Sequence, residues 1–328
     1  MYMVADTIDD LMRRVFRALL RRKNLVVASR GESWELNGVL LRLRAPRARL
    51  SRSAGRGRPF SALGELLWYL SGANSVDFIG YYIKAYVDEA EEGVVYGGYG
   101  PRLFGVPSQI KTVIELLRAR GTSRRAVVQI FDAVDLVGEH REIPCTCTLQ
   151  FTIRQRRLNL LVNMRSNDAW LGLPHDVFCF TMLQELVARD LAVDLGTYSH
   201  CVGSLHLYER DNAKAESYIA EGWMPTVEMP SMPPGTPWPA VSELLRFEEA
   251  LRTRGVEGEL PSIPYWADLG RLLVAFARSR DGRNDAIQDI RSKMDSQVYD
   301  TYLRQKQNVT MPRVSRPLTL NLFEDSKL

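Results

Sequence analysis

No run of about 18 consecutive apolar residues occurs in the 328-residue chain, so the sequence offers no helix that could cross a membrane. Cysteine is scarce. The four present, Cys145, Cys147, Cys179 and Cys201, read as thiols and not as a disulfide framework. There is no internal repeat and no low-complexity tract. The opening residues, MYMVADTIDD, are acidic and lead into an amphipathic helix, unlike a secretory signal, so the expected compartment is the cytosol. What remains is an ordinary globular composition, 45% hydrophobic and 25% charged, long enough for one large α/β domain or two smaller ones.

The net charge is +4, a modest excess that is concentrated in RLRAPRARLSRSAGRGR, residues 42–58. That stretch reads either as a nucleic-acid arm or as a solvated basic loop or phosphate site. Ile8, Leu11, Met12, Val15, Phe16, Leu19 and Leu20 recur at helical spacing and predict one amphipathic helix over about 7–22. Short strands are expected at 25–29 and 38–43. Residues 59–72 are apolar almost all round and predict a buried helix, with Ser61 as N-cap and Gly72 as its stop. The glycine-rich stretch 93–105 predicts a loop passing close to other backbone. A helix over 107–120 and a strand over 126–131 follow. Alternation on both sides of QRR predicts a β-hairpin ending at Arg165. A helix is expected over 176–191 and a strand near 204–208. Residues 1–223 are expected to form a catalytic domain. The proline-dense segment from 224 leads to a mainly helical extension reaching 328 and packed on the same domain.

Several residues could carry chemistry. Cys145 follows a proline at a strand start, where a thiol can be exposed and activated by arginines; a small buried hydrophobe is the alternative. A zinc pair of Cys145 and Cys147 with His140 lacks two further ligands nearby, so no metal is expected. Glu65, on the apolar helix, is either at its exposed edge or buried with a raised pKa and fit for acid–base work. Arg30, Arg124, Arg125 and Arg165 each end a predicted element, where arginines can converge on phosphate or simply form surface ion pairs.

Taken in order, Glu65–Trp68, Val95–Gly97, Ser123–Arg125, Pro144–Cys145 with Gln150 and Phe151, Arg165–Asp168, Leu171–Pro174 and His206–Tyr208 resemble the motifs of the thymidylate synthase family. The resemblance covers roughly residues 8–210. It implies a large α/β domain whose twisted mixed sheet, flanked by helices, forms a homodimer interface. It implies a pyrimidine nucleoside monophosphate as substrate and 5,10-methylenetetrahydrofolate as co-substrate, with no membrane or nucleic-acid partner. By position, Cys145 would attack C6 of the base, and Glu65 would organise water and proton transfers with Tyr96 nearby. Arg30, Arg165 and Ser166 would hold the 5′-phosphate with Asn167 beside them, and Arg124 and Arg125 would reach in from the other subunit. His206 and Tyr208 would bind the sugar. Asp168, Leu171, Gly172 and Tyr86 would meet the folate.

The chain departs from the family at Asp176, where synthases carry asparagine. An asparagine amide complements uracil, whose N3–H donates and whose O4 accepts; cytosine reverses both. A carboxyl that accepts from the 4-amino group and shares a proton with N3 fits cytosine instead, and this aspartate marks the cytidylate hydroxymethylases of the family. Read from local sequence alone, Asp176 could equally be a helix N-cap. Thr146 replaces the histidine that follows the catalytic cysteine. Tyr86 replaces a tryptophan, which would loosen cofactor stacking and admit water. The end of the chain, LFEDSKL, does not resemble the family's closing segment. These departures are expected to favour water addition and a 5-hydroxymethyl product, on dCMP first and CMP next. A methyltransferase making dTMP or 5-methyl-dCMP, and a non-catalytic RNA-binding relative, are the alternatives.

Overall fold

A computed structural model of the chain describes residues 1–22, 25–28 and 30–308. Ser29, at the end of an expected strand, and the closing residues 322–328 lie outside the described residues.

The chain begins with β1 (Tyr2–Ala5) and α1 (Ile8–Leu20). Thr7 accepts the Asp10 N–H and caps α1, whose buried stripe of Ile8, Leu11, Met12, Val15, Phe16 and Leu19 is the one the spacing predicts. β2 (Val26–Ala28) and β3 (Gly31–Leu43) pair antiparallel. β3 starts well before residue 38, because Ser33, Glu35 and Asn37 look like loop residues until β7 supplies their partners. Next come α2 (Pro59–Leu70), α3 (Val76–Tyr82), α4 (Ala85–Glu89), α5 (Tyr99–Phe104) and α6 (Gln109–Ala119).

β4 (Val127–Gln129), β5 (Thr146–Arg154) and β6 (Arg157–Asp168) follow. The β5–β6 turn places Gln155 and Arg156 at φ of 51° and 60°, and β6 runs past Arg165 to Asp168. α7 (Gly172–Asp190), β7 (Asp194–Tyr208) and α8 (Asn212–Ala220) complete this part. Among the described residues the sheet order is β1-β3-β7-β6-β5-β4, with β2 on β3; β6 and β7 are parallel, while β5 and β3 flank them antiparallel. α1 and α7 cover one face. On the other, Gln150, Leu161, Asn163, Ser199 and Cys201 remain half-buried.

The segment 222–237 has no regular structure, yet Met224, Met229 and Met232 are buried. Hydrogen bonds tie it down, among them Met229 N–H to Arg47 O (2.8 Å) and Met232 N–H to the Glu185 carboxylate (2.9 Å). Beyond it lie α9 (Trp238–Arg254), α10 (Pro264–Arg280), α11 (Ile287–Ser292) and α12 (Asp300–Gln307). These helices share one core with the rest. Phe276 packs 5.1 Å from the Tyr82 ring, and the Tyr82 hydroxyl donates to Glu248 at 2.8 Å.

Much of the basic stretch is paired within the fold, while Arg42 and Arg58 are exposed. Arg44 pairs with Asp6, Arg47 with Glu228 and buried Arg49 with buried Glu185, while Arg52 donates to Val298 O and to Thr301. Its charge was legible in the sequence; its partners, many of them far along the chain, were not.

α2 has Pro59 at its first turn and no side-chain cap; Ser61, the expected cap, instead meets His175 of α7 at 2.9 Å. Gly64 is where α3 crosses. A Cβ there would lie 2.2 Å from the Tyr82 ring. Gly64→Ala is therefore expected to destabilise the protein by about 1–3 kcal/mol through overpacking, despite alanine's better helix propensity. Urea unfolding checks this, and an unchanged midpoint would contradict it.

Candidate active site

Three pieces of backbone bring the chemistry together: the C-terminal half of α2, the start of β5, and the β6–α7 junction. Gly97 lets the Val95–Gly97 loop lie against the segment before Cys145, since a Cβ there would meet the Ile143 carbonyl carbon at 3.0 Å. The Cys145 carbonyl accepts the Arg165 N–H at 2.9 Å, and the β5–β6 register shifts between Thr146 and Thr148, directly after the thiol. Such irregularities re-aim side chains at strand ends. The Arg165 guanidinium closes the same segment, Nε donating to Pro144 O (2.9 Å) and Nη2 to Ile143 O (3.0 Å).

The arginines do not activate the thiol in this state. Burial pushes Cys145 up to about 12; Arg165 and Arg30 pull the other way and lose, with Glu142 and Asp176 adding to the rise. The expected activation by arginine is thus corrected: desolvation outweighs it. Alkylation of Cys145 by iodoacetamide should be slow at neutral pH and rise about tenfold per pH unit between 7 and 10, because only the thiolate reacts. Peptide mapping across that range checks this, and a plateau by pH 8 would refute it.

Glu65 is buried, which decides between its two readings. Its Oε1 accepts from the hydroxyls of Tyr86 (2.8 Å) and Tyr69 (3.1 Å). Burial nevertheless holds its pKa above the usual carboxylate range, more strongly than the two tyrosines lower it. Tyr86, expected at the folate, therefore touches the Glu65 carboxylate, with its ring 5.4 Å from Trp68. Tyr96 belongs to the loop that lies against the segment before Cys145. It stacks on His140 at 3.5 Å with the Arg102 guanidinium over its ring, while Tyr99 stands at the start of β5, its hydroxyl accepting from Thr146 N–H (3.2 Å) and Oγ1 (3.0 Å). The tyrosine-rich composition of 96–99 pointed to this loop without distinguishing the two.

Asp176 is the fifth residue of α7, not its cap, so the N-cap reading fails. It is buried, and its Oδ2 accepts from Asn167 Nδ2 at 2.7 Å. Burial raises its pKa well above the ordinary value, with Glu65 and Asp168 adding to the rise and Asn167 opposing it. Its Oδ1 has no hydrogen-bond partner among the described residues. A Cβ at Gly172 would fall 2.8 Å from Asn167 Nδ2, so Gly172 keeps this contact open.

The remaining residues divide. Asp168 Oδ1 accepts the N–H groups of Trp170 (2.7 Å) and Leu171 (3.0 Å), while Oδ2 has no partner among the described residues; Leu171 is exposed beside it. His206 pairs with Asp168 across β6 and β7, and its ring lies 5.0 Å from Tyr208. Ser166 is half-buried on β6 opposite Ser204. Arg30 is held by Glu89 (2.9 Å) and Glu142 (2.7 Å) near the thiol. Arg124 and Arg125 are exposed, and their guanidinium groups have no partner among the described residues.

Among the described residues no group of three or more His, Cys, Asp or Glu side chains could hold a metal ion, and no helix is long and apolar enough to cross a membrane. A cavity of about 320 Å³ lies elsewhere, lined by Phe104, Ile110, Ile114 and Trp238.

The family model described as thymidylate synthase matches residues 58–233. The chain is similar to a protein of Bacillus phage SP01 named deoxyuridylate hydroxymethyltransferase, at 30% identity over 204 residues, covering 57% of this chain. It spans about half of that relative's length, 53%.

Proposed function

Because the chain belongs to the thymidylate synthase family, we propose that it is a one-carbon transferase acting at C5 of a pyrimidine nucleotide, and specifically a cytidylate 5-hydroxymethylase. The observation that carries the substrate reading is Asp176, a buried carboxyl inside α7 with one oxygen bound by an amide and the other open. A carboxyl held neutral by burial donates from one oxygen and accepts at the other, the pattern that cytosine N3 and its 4-amino group require. Uracil would set its N3–H against that donor, and a buried mismatch of this kind rejects a ligand strongly.

In this reading Cys145 adds to C6, which makes C5 nucleophilic. The proton on Asp176 offsets the negative charge that then builds on the ring. 5,10-Methylenetetrahydrofolate supplies the one-carbon unit to C5 and leaves as tetrahydrofolate as C5 gives up its proton; water then adds to the exocyclic methylene and the Cys145 thiolate is released from C6. Asp168 Oδ2 and Leu171 hold its pterin, and Glu65, with Tyr69 and Tyr86 on its Oε1, moves protons to and from water. Arg165, Ser166 and Arg30 receive the phosphate, Arg30 by exchanging Glu89 or Glu142 for it, and His206 and Tyr208 hold the sugar. Arg124 and Arg125, unpaired among the described residues, serve a second copy across the half-buried sheet face of a homodimer. dCMP is favoured over CMP.

The relative's name supports a hydroxymethyl product and favours a second reading, the same reaction on dUMP. One experiment separates them. Purified protein is incubated with methylenetetrahydrofolate and C5-tritiated dCMP, CMP or dUMP, and tritium release and product mass are followed. Release from a cytidylate with gain of one CH2O unit supports the proposal. Turnover of dUMP alone would refute it, and a gain of CH2 with dihydrofolate formed would point to a methyltransferase.

A further inference from the structure

Behind Asp176 runs a buried chain of polar groups that the reaction described above does not use. The Tyr198 hydroxyl lies 2.7 Å from His200 Nδ1, His200 Nε2 lies 3.0 Å from Asn167 Oδ1, and Asn167 Nδ2 donates to Asp176 Oδ2 at 2.7 Å. Tyr198 and His200 are fully buried on the covered face of β7, and Asn167 is buried on β6 beside them. Neither Tyr198 nor His200 has another hydrogen-bond partner among the described residues.

Such a chain has two settings, because an imidazole and an amide can each be reversed. In the first, Tyr198 O–H donates to Nδ1, Nε2–H donates to Asn167 Oδ1, and the amide N–H donates to Asp176 Oδ2. Oδ2 is then an acceptor, and a proton on Asp176 must sit on Oδ1. In the second, every bond reverses. Nδ1–H donates to the tyrosine oxygen, Nε2 accepts from the amide, and Asp176 must place its proton on Oδ2 to reach Asn167 Oδ1. The second setting leaves the Tyr198 hydroxyl hydrogen buried without an acceptor, which is costly. Burial also keeps His200 neutral, lowering it to about 3, so the imidazole cannot donate from both nitrogens.

We propose that Tyr198 is a specificity-determining residue that acts at a distance: through His200 and Asn167 it fixes the polarity of the chain and so holds the Asp176 proton on Oδ1, the oxygen open to the base. With Oδ1–H presented, cytosine N3 finds a donor. In the reversed setting Oδ1 is bare and accepts, which suits the N3–H of uracil. Tyr198 and His200 touch no substrate and are positioning residues. This inference rests on the cytidylate reading for its consequence, but the polarity of the chain does not.

The test has two separate readouts on the full-length protein. With only four histidines in the chain, ¹⁵N-histidine NMR can identify His200 and its tautomer. The wild type is expected to show neutral imidazole protonated at Nε2 from pH 6 to 8, and an Nδ1–H tautomer overturns the proposal. Tyr198→Phe should lose the tautomer preference and lower the ratio of kcat/KM for dCMP over dUMP by about 10- to 100-fold. A folded Tyr198→Phe protein with both tautomer and ratio unchanged also overturns it. If that variant does not fold, the wild-type tautomer alone decides. Failure of the wild type to use any cytidylate would sink the substrate reading, and it is seen in the activity assay, not in the spectrum.

Discussion

Asp176→Asn is expected to exchange the preferred base, changing the ratio of kcat/KM for cytidylate over dUMP by at least about 10³-fold in favour of dUMP. The amide is nearly the same size as the carboxyl and keeps an oxygen for Asn167 Nδ2, so the fold should survive. What changes is the hydrogen-bond pattern offered to N3 and to the 4-position. The pH dependence should change with it. Burial raises the Asp176 pKa, so the wild type should hold its cytidylate activity at low pH and lose it as pH rises through that raised value. The same sign applies to stability. The folded state binds this proton more tightly than the unfolded chain, so the contribution is complete below the unfolded carboxyl pKa of about 3.9 and fades as pH rises through the folded value. Asparagine has neither limb. Steady-state assays with both nucleotides across pH, alongside thermal melts, read all three effects; a variant with wild-type base preference would refute the role of Asp176.

Cys145→Ala is expected to abolish C5 tritium exchange from any nucleotide, by at least about 10³-fold, because addition to C6 is the step that makes C5 nucleophilic. Nucleotide binding should change far less, since Arg165, Ser166 and the sugar-binding pair are untouched. Equilibrium binding of dCMP beside the exchange assay separates the two. Residual exchange near wild type would mean that Cys145 is only a small hydrophobe at the start of β5.

Much of this was legible in the linear chain. The stripe of α1, the all-apolar face of α2 and the alternation around Gln155 and Arg156 needed only local periodicity. The ordered motifs from Glu65 to Tyr208 carried the family and pointed to Cys145 as the candidate nucleophile. Other elements were hidden. Only the last residues of β7 could be read, because Gly196, Thr197, Ser199 and His200 look like polar loop residues until β6 and β3 pair on either side. Tyr86 gives no sign in sequence that its hydroxyl meets Glu65, and Tyr99 looks no different from Tyr96.

The candidate reacting groups, and the aspartate in place of asparagine at 176, were legible in the sequence, because residue type alone sets which atoms can donate, accept or attack. Where each proton rests was decided only by the tertiary structure. Burial raises Glu65, Asp176 and Cys145 and lowers His200, and it arises from elements far apart in the chain closing over one another and excluding water.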